Sequence, residues 1–126
     1  MNTTTTLDQM RNDYDWQQAF EYAGNTEPTE GFTGSRAGFT MDDVKVVLAS
    51  DEGENDGQNW IAVLELKDGR FAFLEAGCDY TGWDCQASGR AFLAASLEDL
   101  VRWGISDTER PRVMPQLHAT IQNNIW

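Results

Sequence analysis

Hydrophobic and polar positions follow the pattern of a β-hairpin over residues 59–76. Two mainly apolar runs, 60–66 and 71–76, flank the dipeptide Asp68-Gly69. A two-residue hairpin turn needs positive φ at both central residues, which aspartate tolerates and glycine adopts freely. The pattern therefore predicts a central hairpin with Lys67 opposite Arg70.

This register decides which side chains share a face of the predicted hairpin, because side chains alternate between the two faces of each strand. One face would carry Trp60, Ala62, Leu64, Leu66, Phe71 and Phe73. This face therefore includes every aromatic side chain of the hairpin. The opposite face would carry Ile61, Val63, Glu65, Ala72, Leu74 and Ala76. We therefore predict that helices cover the first, aromatic face.

Helical periodicity is found on both sides of the hairpin. Residues 7–23 carry an apolar stripe that ends at Gly24-Asn25, as expected for an N-terminal helix. Ser96 has the side chain of a good N-cap and precedes a second apolar stripe over residues 97–103. Both helices are predicted to lie on the aromatic face.

Two further segments predict strands. Residues 44–50 form a β-branched run, and residues 86–94 read as another strand, which Gly89 weakens. Together with the hairpin they predict an antiparallel sheet of about four strands, flanked by an N-terminal and a C-terminal helix. The whole chain, 1–126, is expected to be a single α+β domain with residues 1–6 frayed.

The remaining segments have weaker patterns. Residues 24–40 are rich in glycine and predict a long loop. Ser106 and Glu109 have the spacing of a capping box, but Pro111 is predicted to interrupt any helix longer than about one turn. Residues 114–126 are expected to form a short helix or a docked tail.

The chain carries a strong negative charge. Its formal net charge is −12, and residues 1–60 hold 12 acidic side chains against 3 basic ones. Such a surface repels nucleic-acid phosphates and anionic membranes and attracts a basic partner. The same charge also fits a protein whose acidity serves only to keep it in solution.

Two loops are candidates for a partner-binding surface, and the second has the composition of one, because its aromatic anchors stand beside charges. The first contains the carboxylates of Asp51, Glu52, Glu54 and Asp56. The second places two large aromatic side chains between two carboxylates: Asp79, Tyr80, Trp83 and Asp84. At the same end of the sheet they would form one anionic, aromatic patch. Alternatively, the first loop is a solvated turn and the aromatic side chains of the second cover the core.

Residue types that carry metal or catalytic chemistry are sparse. Cys78, Cys85 and His118 fall short of the four ligands of a structural zinc site, and the 51–57 loop lacks the ligand spacing of an EF-hand. With no apolar leader or membrane span, we expect a cytoplasmic protein with no metal or cofactor. Its thiols are expected to be reduced, although oxidation would close a ring between them.

Two motifs carry a resemblance to other proteins. They read Leu-Lys-Asp-Gly-Arg-Phe-Ala-Phe-Leu-Glu-Ala-Gly-Cys-Asp-Tyr-Thr-Gly-Trp-Asp-Cys-Gln at 66–86 and Ser-Leu-Glu-Asp-Leu at 96–100. From about Asn59 to Arg112, under half of its length, the chain resembles a family of small uncharacterised proteins from phages and their bacterial hosts. The resemblance brings no assigned activity, but it implies a phage or mobile-element origin.

By analogy with small acidic phage proteins, the resemblance suggests an inhibitor of host defence, such as a DNA mimic or an anti-CRISPR protein. The principal hypothesis is therefore a non-enzymatic protein of the host cytoplasm. It would present carboxylates to a basic, nucleic-acid-binding host protein and anchor through Tyr80 and Trp83. The alternatives are a small enzyme or ligand-binding domain that uses the Cys78–Cys85 loop, and a structural or assembly component of a phage particle.

Overall fold

The computed structural model describes residues 4–24, 39–54, 58–78 and 86–124. Four antiparallel strands form one open sheet in the order in which they occur along the chain. They are β1 (Val44–Asp51), β2 (Trp60–Leu66), β3 (Phe71–Cys78) and β4 (Gln86–Ala94). Every predicted strand is present and helices lie at both ends of the chain, which confirms the predicted α+β class.

The helical elements precede and follow the sheet. They are α1 (Leu7–Arg11), α2 (Tyr14–Gly24), a 3-10 turn (Met41–Asp43), α3 (Leu97–Asp99), a π-helical turn (Leu100–Gly104) and α4 (Arg110–Asn124). The Ser96 hydroxyl accepts the Asp99 N–H at 3.1 Å, so the predicted N-cap is confirmed. Within the described ranges, no helix has both the length and the apolar character needed to cross a membrane.

The single helix predicted over residues 7–23 is in fact two helices, because the chain turns between them. α1 has its C-cap at Asn12. The carboxylate of Asp13 then accepts the N–H groups of Asp15 and Trp16, at 2.9 and 3.3 Å. This side-chain cap begins a new helix and competes with continuation of the first one.

The turn between β2 and β3 contains three residues instead of two, so the predicted register is wrong by one residue. The Leu66 N–H donates to the Arg70 carbonyl oxygen at 2.8 Å, which leaves residues 67–69 as the loop. Gly69 has a φ of +93°, and the Asp68 carboxylate accepts the Arg70 N–H at 3.0 Å. A left-handed glycine at the third position commonly closes a three-residue hairpin loop.

The observed register places both phenylalanines of β3 on the other face of the sheet. Phe71 lies opposite Glu65 and Phe73 lies opposite Val63, whereas the prediction paired both with leucines of β2. A slip of one residue exchanges the two faces of a strand. The apolar side chains are therefore divided between the faces more evenly than predicted.

Helices cover both faces of the sheet, so the prediction that they share one face is wrong. Helices α1 and α2 cover one face, in a buried cluster that includes Met10, Trp16, Ala19, Phe20, Trp60, Ala62, Leu64, Leu66, Ala72 and Leu74. Helices α3 and α4 cover the other, in a cluster that includes Leu48, Ile61, Val63, Phe73, Leu97, Leu100, Val113 and Leu117.

α4 runs for 15 residues, although Pro111 was predicted to interrupt it. Pro111 is its second residue, where backbone N–H groups have no partner within a helix, so the missing N–H costs little. Pro115 lies farther in, where a proline costs roughly 3 kcal/mol. Val113 and Leu117 are fully buried against the sheet. Burial of each contributes about 1.5–3 kcal/mol, which offsets that cost.

Gln116 of α4 binds the main chain of the edge strand β1. Its amide oxygen accepts the Ser50 N–H at 2.9 Å, and its amide nitrogen donates to the Ser50 carbonyl oxygen at 2.8 Å. The Thr4 hydroxyl also donates to the Gln116 amide oxygen, and the Thr5 N–H donates to the Ser50 hydroxyl at 2.7 Å. One network thereby joins the N-terminal segment, the edge strand and α4.

Candidate functional site

The strands that flank the two predicted loops have their ends on the same side of the sheet. Asp51 is the last residue of β1 and Trp60 is the first of β2. Cys78, at the end of β3, pairs with Gln86 at the start of β4. Because neighbouring strands are antiparallel, these four strand ends lie together, and the side of the molecule that they define is termed the acidic end.

Three of the eight residues predicted to bind a partner are described by the structure: Asp51, Glu52 and Glu54. The other five lie outside the described residues: Asp56, Asp79, Tyr80, Trp83 and Asp84. Their part in a binding surface stays a prediction, and so does the single anionic, aromatic patch.

Asp51 forms an ion pair inside the molecule. Its Oδ2 lies 2.6 Å from Nε of Arg112, and the side chains are only 11% and 16% exposed. Nη2 of Arg112 donates to the carbonyl oxygens of Asn59 and Glu52, at 2.6 and 3.3 Å. These bonds attach the first turn of α4 to the connection between β1 and β2.

Glu52 and Glu54 are exposed carboxylates on a connection whose backbone is held by hydrogen bonds. The Gln58 side chain donates to the Glu52 carbonyl oxygen at 2.7 Å, and the Glu54 N–H donates to the Gln58 carbonyl oxygen at 2.8 Å. Gly53 lies between them, and a β-carbon there would be 2.3 Å from the Trp60 ring. The close packing at Gly53 fixes the path of the chain that carries both carboxylates.

A polar cleft of about 490 Å³ lies beside this connection. It is lined by Gln58, Asn59, Glu75, Ser106, Thr108, Glu109 and Arg112. Glu75 and Glu109 are only 8% and 6% exposed. The Asn59 amide donates to Oε2 of Glu75 at 3.0 Å, and the Ser106 hydroxyl donates to Oε1 of Glu109 at 2.9 Å. Each of these two buried carboxylates is thus held by a neutral side-chain donor within the cleft.

Sequence reasoning missed the charged residues of this cleft. Glu75 carries the one charge within the sequence of β3, and a carboxylate in an apolar strand is a signal of a bonded, buried role. Glu109 was recognised only for its capping-box spacing with Ser106. The pairing of Arg112 with Asp51 had no local signal, because it requires α4 to pack beside β1 across 61 residues of sequence.

Positive charges in the described part of the chain are mostly paired within the molecule. Of the seven Lys and Arg side chains described, six lie 3.4 Å or less from a carboxylate oxygen. The pairs are Arg11–Asp42, Lys45–Glu65, Arg70–Asp68, Arg102–Glu98, Arg110–Asp107 and Arg112–Asp51. Exposed pairs of this kind add little stability. They do neutralise the cations locally, so the excess negative charge dominates the surface.

Residue types suited to metal binding do not converge in the described ranges. Among those residues, no group of three or more His, Cys, Asp or Glu side chains is arranged to hold a metal ion. His118 is exposed on α4. Cys85 and the side chain of Cys78 lie outside the described part, so a site built on the cysteine loop stays a prediction.

The predicted relationship of residues 59–112 to phage and bacterial proteins rests on two sequence motifs. In the structure, the first motif begins at the end of β2 and contains all of β3, and the second contains α3. Comparison of the chain with protein-family models, with curated proteins and with solved structures found no match.

Proposed function

We propose that this chain is an acidic protein of phage or mobile-element origin that binds a host nucleic-acid-binding defence protein and inhibits it as a DNA mimic. The observation that carries the proposal is the internal pairing of six of the seven described cations, in a chain whose net charge is −12. The chain would thus act by binding and not as an enzyme.

The acidic end offers carboxylates at defined positions. Glu52 and Glu54 are exposed, and their connection is hydrogen-bonded to Gln58 and Arg112. Grooves that bind nucleic acid use Lys and Arg to neutralise phosphates, so the same groups would attract these carboxylates. Electrostatic steering accelerates such association by about 10- to 1,000-fold, and salt weakens it.

The test is capture of proteins from a bacterial host lysate on the tagged chain at low and at high salt. The informative variant is Glu52→Gln with Glu54→Gln, since both backbone hydrogen-bonding groups of this connection are retained. Its matched control is Asp8→Asn with Asp99→Asn, which also removes two exposed carboxylates but from α1 and α3. Captured proteins are identified by mass spectrometry.

We expect a nucleic-acid-binding protein to be captured at low salt and released at high salt. The Glu52 and Glu54 variant should capture it less well than the control does. Adding the unaltered chain to a complex of that protein with labelled duplex DNA should then displace the DNA. Capture that is indifferent to salt, equal losses in the two variants, or a partner that retains its DNA would each contradict the proposal.

A further inference from the structure

Trp103 is the most exposed large apolar side chain in the described part of the chain. It ends the apolar stripe predicted over residues 97–103, yet it is 69% exposed. It lies in the π-helical turn, whose i→i+5 hydrogen bonds make a wider turn than that of an α-helix. The wider turn moves Trp103 out of line with Leu100, which is fully buried against the sheet. Within the described ranges, the indole forms no hydrogen bond or ring contact.

The backbone that carries Trp103 is held on both sides. Nη2 of Arg110 donates to the carbonyl oxygens of the two preceding residues, at 3.0 Å each. On the other side, Gly104 packs so closely on the Phe92 ring that a β-carbon would lie 2.6 Å from it. Because the backbone is already ordered, less conformational freedom is lost when the indole meets a partner, which favours binding.

The charge around this indole favours a cation. Residues 97–110 hold four acidic and two basic side chains. Both basic side chains are paired with carboxylates. Arg102 lies 3.0 Å from Glu98, and Arg110 lies 2.9 Å from Asp107. No unpaired positive charge of this described segment therefore opposes an incoming cation, and the net charge of the chain, −12, attracts one.

An arginine suits an exposed indole better than a lysine does. The face of a tryptophan ring attracts cations more strongly than the faces of tyrosine and phenylalanine, and arginine is the commoner partner. The guanidinium group is planar, stacks on aromatic rings and is more weakly hydrated than an ammonium group. Arginine also binds phosphates bidentately, so a nucleic-acid-binding protein would offer such a side chain.

The chain leads directly from Trp103 to the acidic end. Ser106, which lies three residues later and so within about 11 Å along the chain, lines the polar cleft together with Gln58. The Gln58 side chain donates to the Glu52 carbonyl oxygen at 2.7 Å. One partner could therefore contact the indole together with the exposed carboxylates of Glu52 and Glu54.

We infer that Trp103 is an aromatic anchor of the partner interface and that an arginine of the basic partner stacks on its indole. The inference rests on the proposed function and specifies a residue pair that holds the partner. Glu52 and Glu54 would steer the partner by charge, whereas Trp103 would bind one of its arginines by contact.

Two peptides test this inference on the unaltered chain. One is an arginine–glycine repeat and the other is a lysine–glycine repeat of the same length, so their charges are equal. Titration at low salt, followed by NMR, is expected to show roughly two- to fivefold tighter binding of the arginine peptide. The indole N–H signal of Trp103, identified by its absence from the Trp103→Phe variant, should shift during this titration. The ring current should shift the arginine Hδ protons upfield.

Two results on the unaltered chain would overturn the inference. The first is equal affinity for the two peptides, or a Trp103 signal that the arginine peptide does not move. The second is a Trp103 signal that shifts on dilution of the chain alone, because a second copy of the chain would then cover the indole.

Three variants locate the preference for arginine within the molecule. Trp103→Leu keeps an apolar side chain but removes the aromatic face, and it is expected to abolish the preference for arginine over lysine. Trp103→Phe should retain part of it, because phenylalanine has the weaker ring face. Tyr14→Leu removes the other exposed aromatic side chain of the described part, from α2, and should preserve it. Thermal unfolding verifies that the variants are folded, and a preference that persists in folded Trp103→Leu would overturn the inference.

The inference and the proposed function fail in different ways. Arginine and lysine peptides that bind alike, together with lysate capture that still depends on Glu52 and Glu54, would disprove the role of Trp103 and leave the proposed function intact. Arginine-selective binding that requires Trp103, together with no capture of a nucleic-acid-binding protein, would do the reverse.

Discussion

At the scale of single residues, Asp13 and Asp15 have opposite effects on the start of α2. The Asp13 carboxylate caps the helix by accepting the N–H groups of Asp15 and Trp16. Partial burial, together with the charge of Asp13, raises the pKa of Asp15. The same carboxylate that begins the helix therefore makes ionisation of its neighbour less favourable.

Replacing Asp15 with asparagine is expected to stabilise the protein near neutral pH. Because the pKa of Asp15 is raised in the folded state, ionisation of this group costs stability, and the cost is complete above the folded-state pKa. As the pH falls through that pKa toward the unfolded value of about 3.8, the cost disappears. The gain from Asp15→Asn, on the order of 0.5 kcal/mol, should therefore be present at neutral pH and absent near pH 3.

Urea unfolding at the two pH values measures this difference. Asp8→Asn is a suitable control, because it removes a carboxylate from the first turn of α1. The expectation would be contradicted if the Asp15→Asn variant were less stable than the unaltered chain at neutral pH. It would also be contradicted if the substitution stabilised the protein equally at both pH values.

At the scale of elements, the positions of the strands could be predicted from the sequence but their register could not. Alternation and β-branched runs located all four strands, because burial imposes those patterns locally. The register depended on the Asp68-Gly69 turn, where two-residue and three-residue loops use the same residue types. The Asp68 carboxylate accepts the Arg70 N–H, and this hydrogen bond stabilises the three-residue loop.

The cleft was beyond sequence reasoning for a related reason. Its charged side chains come from β3, from the turn before α4 and from α4 itself. Only the observed register puts Glu75 on the face of the sheet that α4 covers. The predicted register put Glu75 on the same face as Trp60, and no helix was predicted over the full length of α4. The presence of Glu75 and Glu109 in one cleft therefore could not be predicted.

Gly69→Ala is expected to destabilise the hairpin through backbone strain alone. Gly69 has a φ of +93°, and a β-carbon there would meet nothing within 4 Å. The cost of placing a β-carbon at positive φ is about 1–2 kcal/mol. Lys67→Ala, an exposed change in the same loop, is the control and should be nearly neutral. Chemical unfolding followed by tryptophan fluorescence measures both, and equal stabilities of the two variants would refute the strain.

At the scale of the whole molecule, repulsion among carboxylates opposes compaction. The net charge is −12, and the ion pairs of the described part are mostly exposed and worth roughly 0–1 kcal/mol each. Screening by salt should weaken repulsion more than it weakens these pairs. The melting temperature is therefore expected to rise from low to moderate salt, and to rise less in the Glu52→Gln, Glu54→Gln variant. A melting temperature that falls over this range would show that the ion pairs dominate.

The Gln116 side-chain amide occupies main-chain hydrogen-bonding groups on the outer edge of β1. An edge strand normally exposes N–H and C=O groups that another chain can pair with, which is the first step of amyloid growth. At Ser50 both groups are already bound by one side-chain amide, as a peptide unit of a fifth strand would bind them. Helix α4, which covers one face of the sheet, thus also prevents another chain from pairing with β1 at Ser50.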